Sequence, residues 1–598
     1  WESCNPPEVS AGGSVSPPNP PSGHHAGRSA MAVASPPFAV NNMSWRVSKE
    51  FLSDRCEDPI SSSEMKAPPM KHDTEVHLER TRVRLARFGV DVKDDEKRGR
   101  CLVAAKDFKR GDLVLASMPY GLPVPMGDRC AGCFLQKEGD EAEKKIRCSG
   151  CDKVWFCSER CKDGAMAGGH AAECQPIKRY FADNAEDEVD GFIQFSALHR
   201  HCGMEYPELD GEPMDSDLPY LVPTTGDKAD TVARWAQTRF PWRDFCGDWE
   251  AEQTAGARHV GLLPQSMTDE TVKKEIVRSR MNDFFIQTWS GGDPTPMAGA
   301  AYPIGALLNH SCEPSCVCSY RLDVEGTHPT WIQEFRCAVD SLSAGEELTH
   351  AYVDASDWSN HRRAELLDRY GFVCACPRCP SDEFGEPVNP PEPTPFPYSK
   401  SGMRPPLSES MTQAEQDVQM ARFISCQEFT WAQIALEKDK RAFVTVKLAA
   451  RLIAEAEHAE EVAEERTKAT KAAGLLREMK IDPDSHLTLG MREPFDPCPI
   501  VPMRIKATQM ASNMAMFESD FEASLRLGDE LIGLLEEGYG TRWHAKIANE
   551  LLRLGGVAGD GMGDNEKAAE KFREAIEIGS VTTGPDSWVC ERAKAALA

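Results

Sequence analysis

Between Cys130 and Cys174 the chain carries the ligand pattern C-x2-C-x14-C-x2-C-x5-C-x3-C-x8-H-x3-C. Two residues between paired cysteines let a tight turn aim both thiolates at one ion. Zinc accepts the resulting tetrahedron because its filled d shell imposes no other geometry. Eight ligands suffice for two closed sites. The sequence between them is short and polar, so metal binding there is largely folding energy. A second group lies downstream. Cys374-Ala-Cys376-Pro-Arg-Cys379 offers three thiolates, one short of a closed tetrahedron. Cys312, in the run Asn309-His310-Ser311-Cys312-Glu313-Pro314, is the candidate for the fourth, and spacing leaves Cys316 and Cys318 open as alternatives. On its own, C-x-C-x-x-C reads equally well as a small redox group.

Cysteine usage supports ligation over disulfides. The chain has 22 cysteines, with seven between Cys130 and Cys174 and seven between Cys312 and Cys379. No charged-then-apolar signal pattern opens the chain, so a reducing compartment is expected and clustered cysteines there argue for metal. Residue 1 is Trp, which reads as a fragment or as an uncertain gene model, with Met31 and Met43 as candidate starts. The net charge of −27 repels nucleic-acid backbones and favours basic partners such as lysine-rich segments. No apolar run reaches 18 residues, so no membrane span is expected.

The elements that must position these groups are readable in outline. Length alone, at 598 residues, predicts three or four domains. Residues 1–75 are rich in Pro, Ser and Gly and read as a disordered tail. Residues 99–119 show strand-like apolar runs around a Lys-Arg-Gly turn at 109–111. Apolar spacing of three and four predicts helices over Tyr180–Phe195 and Thr231–Trp242. Residues 300–355 read as strands and loops, with Ile304–Leu308 a buried strand or helix stub. The run NPPEPTPFPY at 389–398 is a Pro-rich linker. Beyond about residue 410, Val444, Leu448 and Leu452, Leu527 and Leu531, Ile547 and Leu551, and Ala568, Phe572 and Ile576 lie at four-residue spacing, the last on a helix capped by Asp564. Antiparallel amphipathic helices are expected there, as a tetratricopeptide-like array or as a plain bundle.

The segment 130–174, with its run Trp155-Phe156-Cys157-Ser158, resembles a MYND finger. The resemblance implies cross-braced sites: Cys130, Cys133, Cys157 and Cys161 on one zinc, and Cys148, Cys151, His170 and Cys174 on the other. The Cys161–His170 interval is one residue longer than usual, and Ala167 stands where a Trp is common. The sequence LLNHSCEPS, then GEELTHAY at 345–352, then YGFVCACPRC at 370–379 resembles the SET domain of protein-lysine methyltransferases. Together with the finger and the helical C-terminal part, the order is similar to the SET and MYND domain family. What this implies is an α+β fold: a SET-domain β-fold with a knot-like cofactor site, an inserted MYND finger, and an all-α, TPR-like C-terminal domain. The implied segments are the tail 1–75, the first SET part 76–129, the finger 130–174, a helical SET insert 175–280, core SET 281–355, a zinc-binding post-SET segment 356–380, the linker 381–410 and helical residues 411–598.

The family's chemistry is methyl transfer from S-adenosylmethionine to a lysine amine, an in-line displacement. The amine must be neutral, although free lysine has a pKa of about 10.4. A sulfonium charge and a dry channel both disfavour ammonium, so the protein mainly aligns the reactants. Tyr352 matches the family's catalytic tyrosine and Tyr370 a second channel tyrosine; Tyr352 alone reads as a core aromatic on a strand. Phe372 resembles the ring that stacks on adenine. Asn309 and His310 match the cofactor wall. Asn282 resembles a further cofactor-binding Asn, or serves as an ordinary cap, and Arg100 resembles a cofactor contact in the first strand. Cys101 replaces a motif Gly beside it, Ser315 stands where Asn is common, and Ala351 where Ser often precedes the tyrosine.

The expected activity is therefore lysine N-methylation of histone or non-histone proteins with S-adenosylmethionine and three zinc ions, by a monomer of the cytoplasm or nucleus. The finger and helices are expected to take peptide partners. The acidic residues Glu455, Glu457, Glu460, Glu461, Glu464 and Glu465 either attract basic peptides or form a solvated helix face. The rival is a zinc-stabilised adaptor with a silent SET core. A zinc hydrolase fits poorly, since no His-Glu-x-x-His motif is present.

Overall fold

The computed structural model describes residues 74–95, 99–125, 129–135, 145–166, 170–183, 282–290, 293–323, 329–357, 362–363, 366, 370, 372–379, 440–459, 461–479 and 500–598. Residues 1–73 of the expected tail, most of the helical insert, including Thr231–Trp242, the Pro-rich linker, and Ala167 lie outside the described residues.

The first described element is a helix the sequence reading did not anticipate, α1 (Thr74–Phe88), which leads into β1 (Val90–Asp95). β1 pairs antiparallel with β2 (Gly99–Ala104), with Lys93 opposite Cys101. The Lys-Arg-Gly turn falls as expected between β3 (Phe108–Lys109) and β4 (Leu113–Ser117). β5 (Tyr120–Pro125) follows. The finger contributes β6 (Ile146–Arg147), β7 (Trp155–Phe156), α2 (Glu159–Ala165) and α3 (Ala171–Asp183).

Downstream come β8 (Asp283–Ser290) and β9 (Asp293–Ala301), then a 3-10 turn at Gly305–Leu307. β10 (Asn309–His310), β11 (Cys316–Asp323), β12 (Thr330–Cys337), β13 (Ser341–Leu342) and β14 (Thr349–His350) complete the β part. β12 is the centre of a three-stranded antiparallel sheet ordered β11-β12-β4. Its run Thr-Trp-Ile-Gln-Glu-Phe is buried on both faces, as a central strand covered on two sides must be. The core beneath it joins Leu85, Leu102, Val114, Leu115, Leu308, Phe335 and Leu348. Gly305 has no room for a side chain: a Cβ there would lie 1.8 Å from Gln333 Oε1. The bare position lets the turn pack directly against Gln333 and Phe335 on the way to Asn309.

The helical part runs α4 (Lys440–Glu457), α5 (Val462–Arg477), α6 (Val501–Phe517), α7 (Phe521–Tyr539), α8 (Ala545–Gly556), α9 (Asn565–Thr582) and α10 (Trp588–Leu597). Asp564 caps α9 as expected, accepting from the Lys567 N–H at 3.0 Å. Leu527, Leu531, Ile547, Leu551, Ala568 and Phe572 are buried, and Ile576 packs partly buried against the same core. The α4 stripe is different. Val444 is 62% exposed and Leu448 39%, while Val446, Ala449, Ala450 and Ile453 face the core. A strict four-residue step advances about 40° further than a full turn, so Val444 and Leu448 rotate away from the face that Leu452 buries. The true face includes Ala449 and Ala450, which let α4 meet Ala472 and Ala473 of α5 closely.

Three of the six residues of the acidic run are paired internally. Glu455 pairs with Arg451 at 2.7 Å and with Lys468 at 3.7 Å, Glu464 with Lys468 at 2.7 Å and Glu457 with Lys506 at 2.7 Å. That favours the solvated helix face over a basic-peptide site. Among the described residues no helix is long and apolar enough to cross a membrane.

Candidate active site and metal centres

Eleven of the described cysteines and one histidine gather into three tetrads: Cys130, Cys133, Cys157 and Cys161; Cys148, Cys151, His170 and Cys174; and Cys312, Cys374, Cys376 and Cys379. In each, the four ligand atoms lie within 4.8 Å of one another. Measured edges include 3.6 Å for Cys133–Cys157, 3.4 Å for Cys157–Cys161, 3.6 Å for Cys148–Cys174 and 3.6 Å for Cys312–Cys379. A tetrahedron of thiolates at the usual Zn–S length of about 2.3 Å has edges of about 3.8 Å. The donor sets and spacings therefore suit zinc.

Charge makes the same point. Hydrogen bonds from Cys374, Cys376 and Cys379 pull the Cys312 thiol far down, while the same contact with Cys312 pushes Cys374 and Cys379 far up. Thiols this close cannot all ionise alone; a dication removes that conflict. The turns are built for it. A Cβ at Gly150 would stand 2.4 Å from Cys174 Sγ. The N–H of Cys157 donates to Cys130 Sγ at 3.3 Å.

The open question of the fourth thiolate is answered by position. Cys312 leaves β10 and meets the distant Cys-x-Cys-x-x-Cys, whereas Cys316 enters β11 and is buried in the sheet core. Burial pushes the thiols of Cys316 and Cys318 each up to about 12, as expected of inert core cysteines.

Clamping Cys312 fixes the residues just before it. β10 lies parallel to β14, with Asn309 opposite Thr349 and His310 opposite His350. The Asn309 amide donates to the Arg100 carbonyl at 3.1 Å and to Glu347 Oε1 at 3.0 Å. The Tyr352 N–H donates to His310 Nδ1 at 3.0 Å, and its hydroxyl donates to the Leu308 carbonyl at 2.7 Å. Tyr352 also meets Tyr370 at 4.9 Å and Phe372 at 6.4 Å between ring centroids. Burial, with Tyr370 and Glu347 adding, raises the Tyr352 hydroxyl above the ordinary phenol range, so it is neutral at pH 7. The structure thus brings Arg100, Asn309, His310, Tyr352, Tyr370 and Phe372 together. Asn282 is buried at the head of β8, two residues before Phe284, whose ring stacks on His350 at 5.6 Å.

The departures from the motif have local answers. Cys101 is buried and its thiol donates to the Lys93 carbonyl on β1 at 3.5 Å, so its side chain is committed to the neighbouring strand. Ser315 and Thr349 brace each other: the Thr349 N–H donates to Ser315 Oγ at 2.9 Å, and the Ser315 N–H to Thr349 Oγ1 at 3.1 Å. Ala351 packs against the helical core. Sequence reasoning passed over His350, Glu347 and Arg378. His350 ends β14 two residues before Tyr352, and their rings lie 4.8 Å apart; that proximity in sequence to the motif tyrosine is the signal that was available.

A MYND finger model matches residues 130–174. A human protein named histone-lysine N-methyltransferase SMYD3 is 29% identical over 302 residues, covering 48% of this chain and 60% of the relative. A zebrafish (Danio rerio) protein named N-lysine methyltransferase SMYD2-A is 26% identical over 296 residues, covering 48% and 59%. Arabidopsis thaliana histone-lysine N-methyltransferase ASHR1 is 23% identical over 302 residues, covering 50% and 55%.

The chain is related to the SET and MYND domain family. It spans about 60% of the length of the SMYD3 and SMYD2-A relatives it matches.

Proposed function

We propose that the chain is an S-adenosylmethionine-dependent protein-lysine N-methyltransferase. The observation that carries the reading is the convergence of Asn309, His310, Tyr352, Tyr370 and Phe372 beside the Cys312 clamp. Ring faces and carbonyl oxygens make up this wall, a set that suits a sulfonium cation and an adenine plane. When bound, S-adenosylmethionine supplies an activated methyl group. Arg100, Asn309, His310 and Phe372 would hold it, with Asn282 near the same rings. The neutral Tyr352 hydroxyl, held by the Leu308 carbonyl, and Tyr370 border the approach of the target amine. Apolar walls disfavour ammonium there, and the released proton leaves to solvent. Each of the three tetrads takes one zinc, and the third shapes the cofactor wall directly through Cys312.

The test is labelled methyl transfer to whole-cell protein. The parent chain labels lysines, and Tyr352→Phe labels at least tenfold more slowly, in line with the usual worth of a group that aligns reactants. A parent that binds S-adenosylmethionine and labels nothing across a broad protein set supports the adaptor role instead. A Tyr352→Phe variant as fast as the parent removes Tyr352 from the chemistry.

A further inference from the structure

Beside Tyr352 sits a polar group for which the methyl-transfer reading has no use. His350 is 5% exposed, and its ring is enclosed by aromatic neighbours. It stacks on Phe284 at 5.6 Å, meets Phe335 edge-on at 5.3 Å and lies 4.8 Å from the Tyr352 ring. Its Nε2 is buried and, among the described residues, has no hydrogen-bond partner. Its backbone is fixed, since its carbonyl accepts from the Ser311 N–H at 3.1 Å. An unsatisfied buried polar atom is costly and calls for a reason.

Burial, with His310 adding, pulls the His350 ring down to about 3, so it is neutral at pH 7. The nearby Ala351 backbone opposes that shift. A neutral imidazole carries one N–H and one lone pair, and the Nδ1–H tautomer puts the lone pair on the unpartnered Nε2.

We infer that His350 is a specificity-determining residue of the lysine site, its Nε2 accepting an N–H of the target amine. The inference rests on the methyltransferase reading. In each transfer the neutral amine forms an N–C bond while the C–S bond breaks; the sulfonium becomes a neutral thioether, and the amine proton goes to water. A neutral lysine amine has two N–H bonds, a monomethylamine one and a dimethylamine none. An acceptor aimed at the amine therefore aids the first two transfers. It opposes the third, because a dimethylamine leaves Nε2 buried and unpaired. The product series stops at dimethyl-lysine.

The experiment compares the parent with His350→Phe, which keeps a stacked ring and removes the acceptor, and with His350→Gln, which restores one. The probe is a mixture of core histones and lysine-centred peptides with labelled S-adenosylmethionine. Mass spectrometry reads the mono-, di- and trimethyl products, and bound zinc is measured as the check on folding. The parent ends at dimethyl-lysine. His350→Phe makes the first transfer about tenfold slower, the loss expected of one hydrogen bond, and accumulates trimethyl-lysine; His350→Gln moves back toward the parent. If His350→Phe does not hold its zinc, His350→Leu takes its place. The same product series in parent and variant, or trimethyl-lysine from the parent, overturns the role of His350 alone. A parent that binds S-adenosylmethionine and transfers no methyl overturns the methyltransferase reading and this inference with it.

Discussion

The Arg378 guanidinium donates to the Tyr539 carbonyl oxygen at 3.1 Å. Arg378 lies between Cys376 and Cys379 of the third tetrad, and Tyr539 ends α7 in the helical part. The same guanidinium also donates to the Gly538 carbonyl and, at 3.3 Å, to that of Cys312. One side chain, 2% exposed, thus ties the cofactor wall, a metal site and a helix C-terminus, where cations are favoured.

Replacing Arg378 by Ala leaves these carbonyls buried without their donor. The expected cost is about 3 kcal/mol, since hydrogen bonds to charged groups are worth about 1.5–3 kcal/mol each and do not add fully. Arg378→Lys keeps the charge but loses the planar fork and recovers only part of it. Denaturant unfolding measures the loss, and limited proteolysis shows release of the helical part from the β part. An Arg378→Ala chain with parental stability and protease resistance would show that the fork carries no such link.

Cys312 and Cys316 are four residues apart and meet opposite fates. Cys312→Ser takes one thiolate from the third tetrad, so bound zinc falls from three to two per chain and affinity for S-adenosylmethionine falls at least tenfold. Cys316→Ser keeps three zincs, with a stability cost of about 1 kcal/mol from placing a hydroxyl in the core. Elemental analysis and calorimetric titration with the cofactor check both. Equal zinc counts in the two variants would reopen the assignment of the fourth ligand.

Gly305 sets where the apolar run ends. Gly305→Ala drives a methyl group toward Gln333 and Phe335, residues that are fully buried. Overpacking of this kind costs about 1–3 kcal/mol. Because the turn leads straight into Asn309 and His310, cofactor affinity is expected to fall with stability. Thermal unfolding with and without S-adenosylmethionine separates the two effects, and unchanged midpoints would mean that Gln333 moves aside freely.

The parts that were legible in the sequence share a cause. Metal ligands have few substitutes, so the clusters at Cys130 to Cys174 and Cys312 to Cys379 stood out by type and spacing, while their partition into tetrads came with the family resemblance and the choice of Cys312 over Cys316 and Cys318 needed the structure. Asn309, His310 and Tyr352 were carried by the motif around them. What stayed hidden depends on partners far along the chain. Arg378 looked like filler inside Cys-Pro-Arg-Cys, because its acceptors lie some 160 residues away. Cys101 stood only as the replacement of a motif Gly, and its thiol contact with the Lys93 carbonyl depends on strand pairing that the sequence does not print. The α4 face was misjudged because alanines, weak in any hydrophobic pattern, form part of its buried stripe, while the more apolar Val444 and Leu448 point outward.

His544 offers a pH test of the helical part. It caps α8, with Nδ1 accepting from the Lys546 N–H at 3.2 Å, and stacks on Tyr539 at 3.6 Å. Burial pulls its ring down to about 4, with Asp354 opposing and Lys546 adding to the shift. The folded chain therefore resists protonating His544, while the unfolded chain takes the proton near the ordinary value of about 6.5. Below that pH the unfolded state binds more protons, so acid favours unfolding. The contribution of His544 is complete above about pH 6.5 and is lost progressively as pH falls toward 4. His544→Asn keeps a capping acceptor and removes the titration, so it is expected to flatten the fall in unfolding free energy between pH 6.5 and 4 while costing stability at pH 7 through the lost stack. Denaturant midpoints across that range decide the matter: parallel curves for parent and variant would mean that another group carries the acid sensitivity.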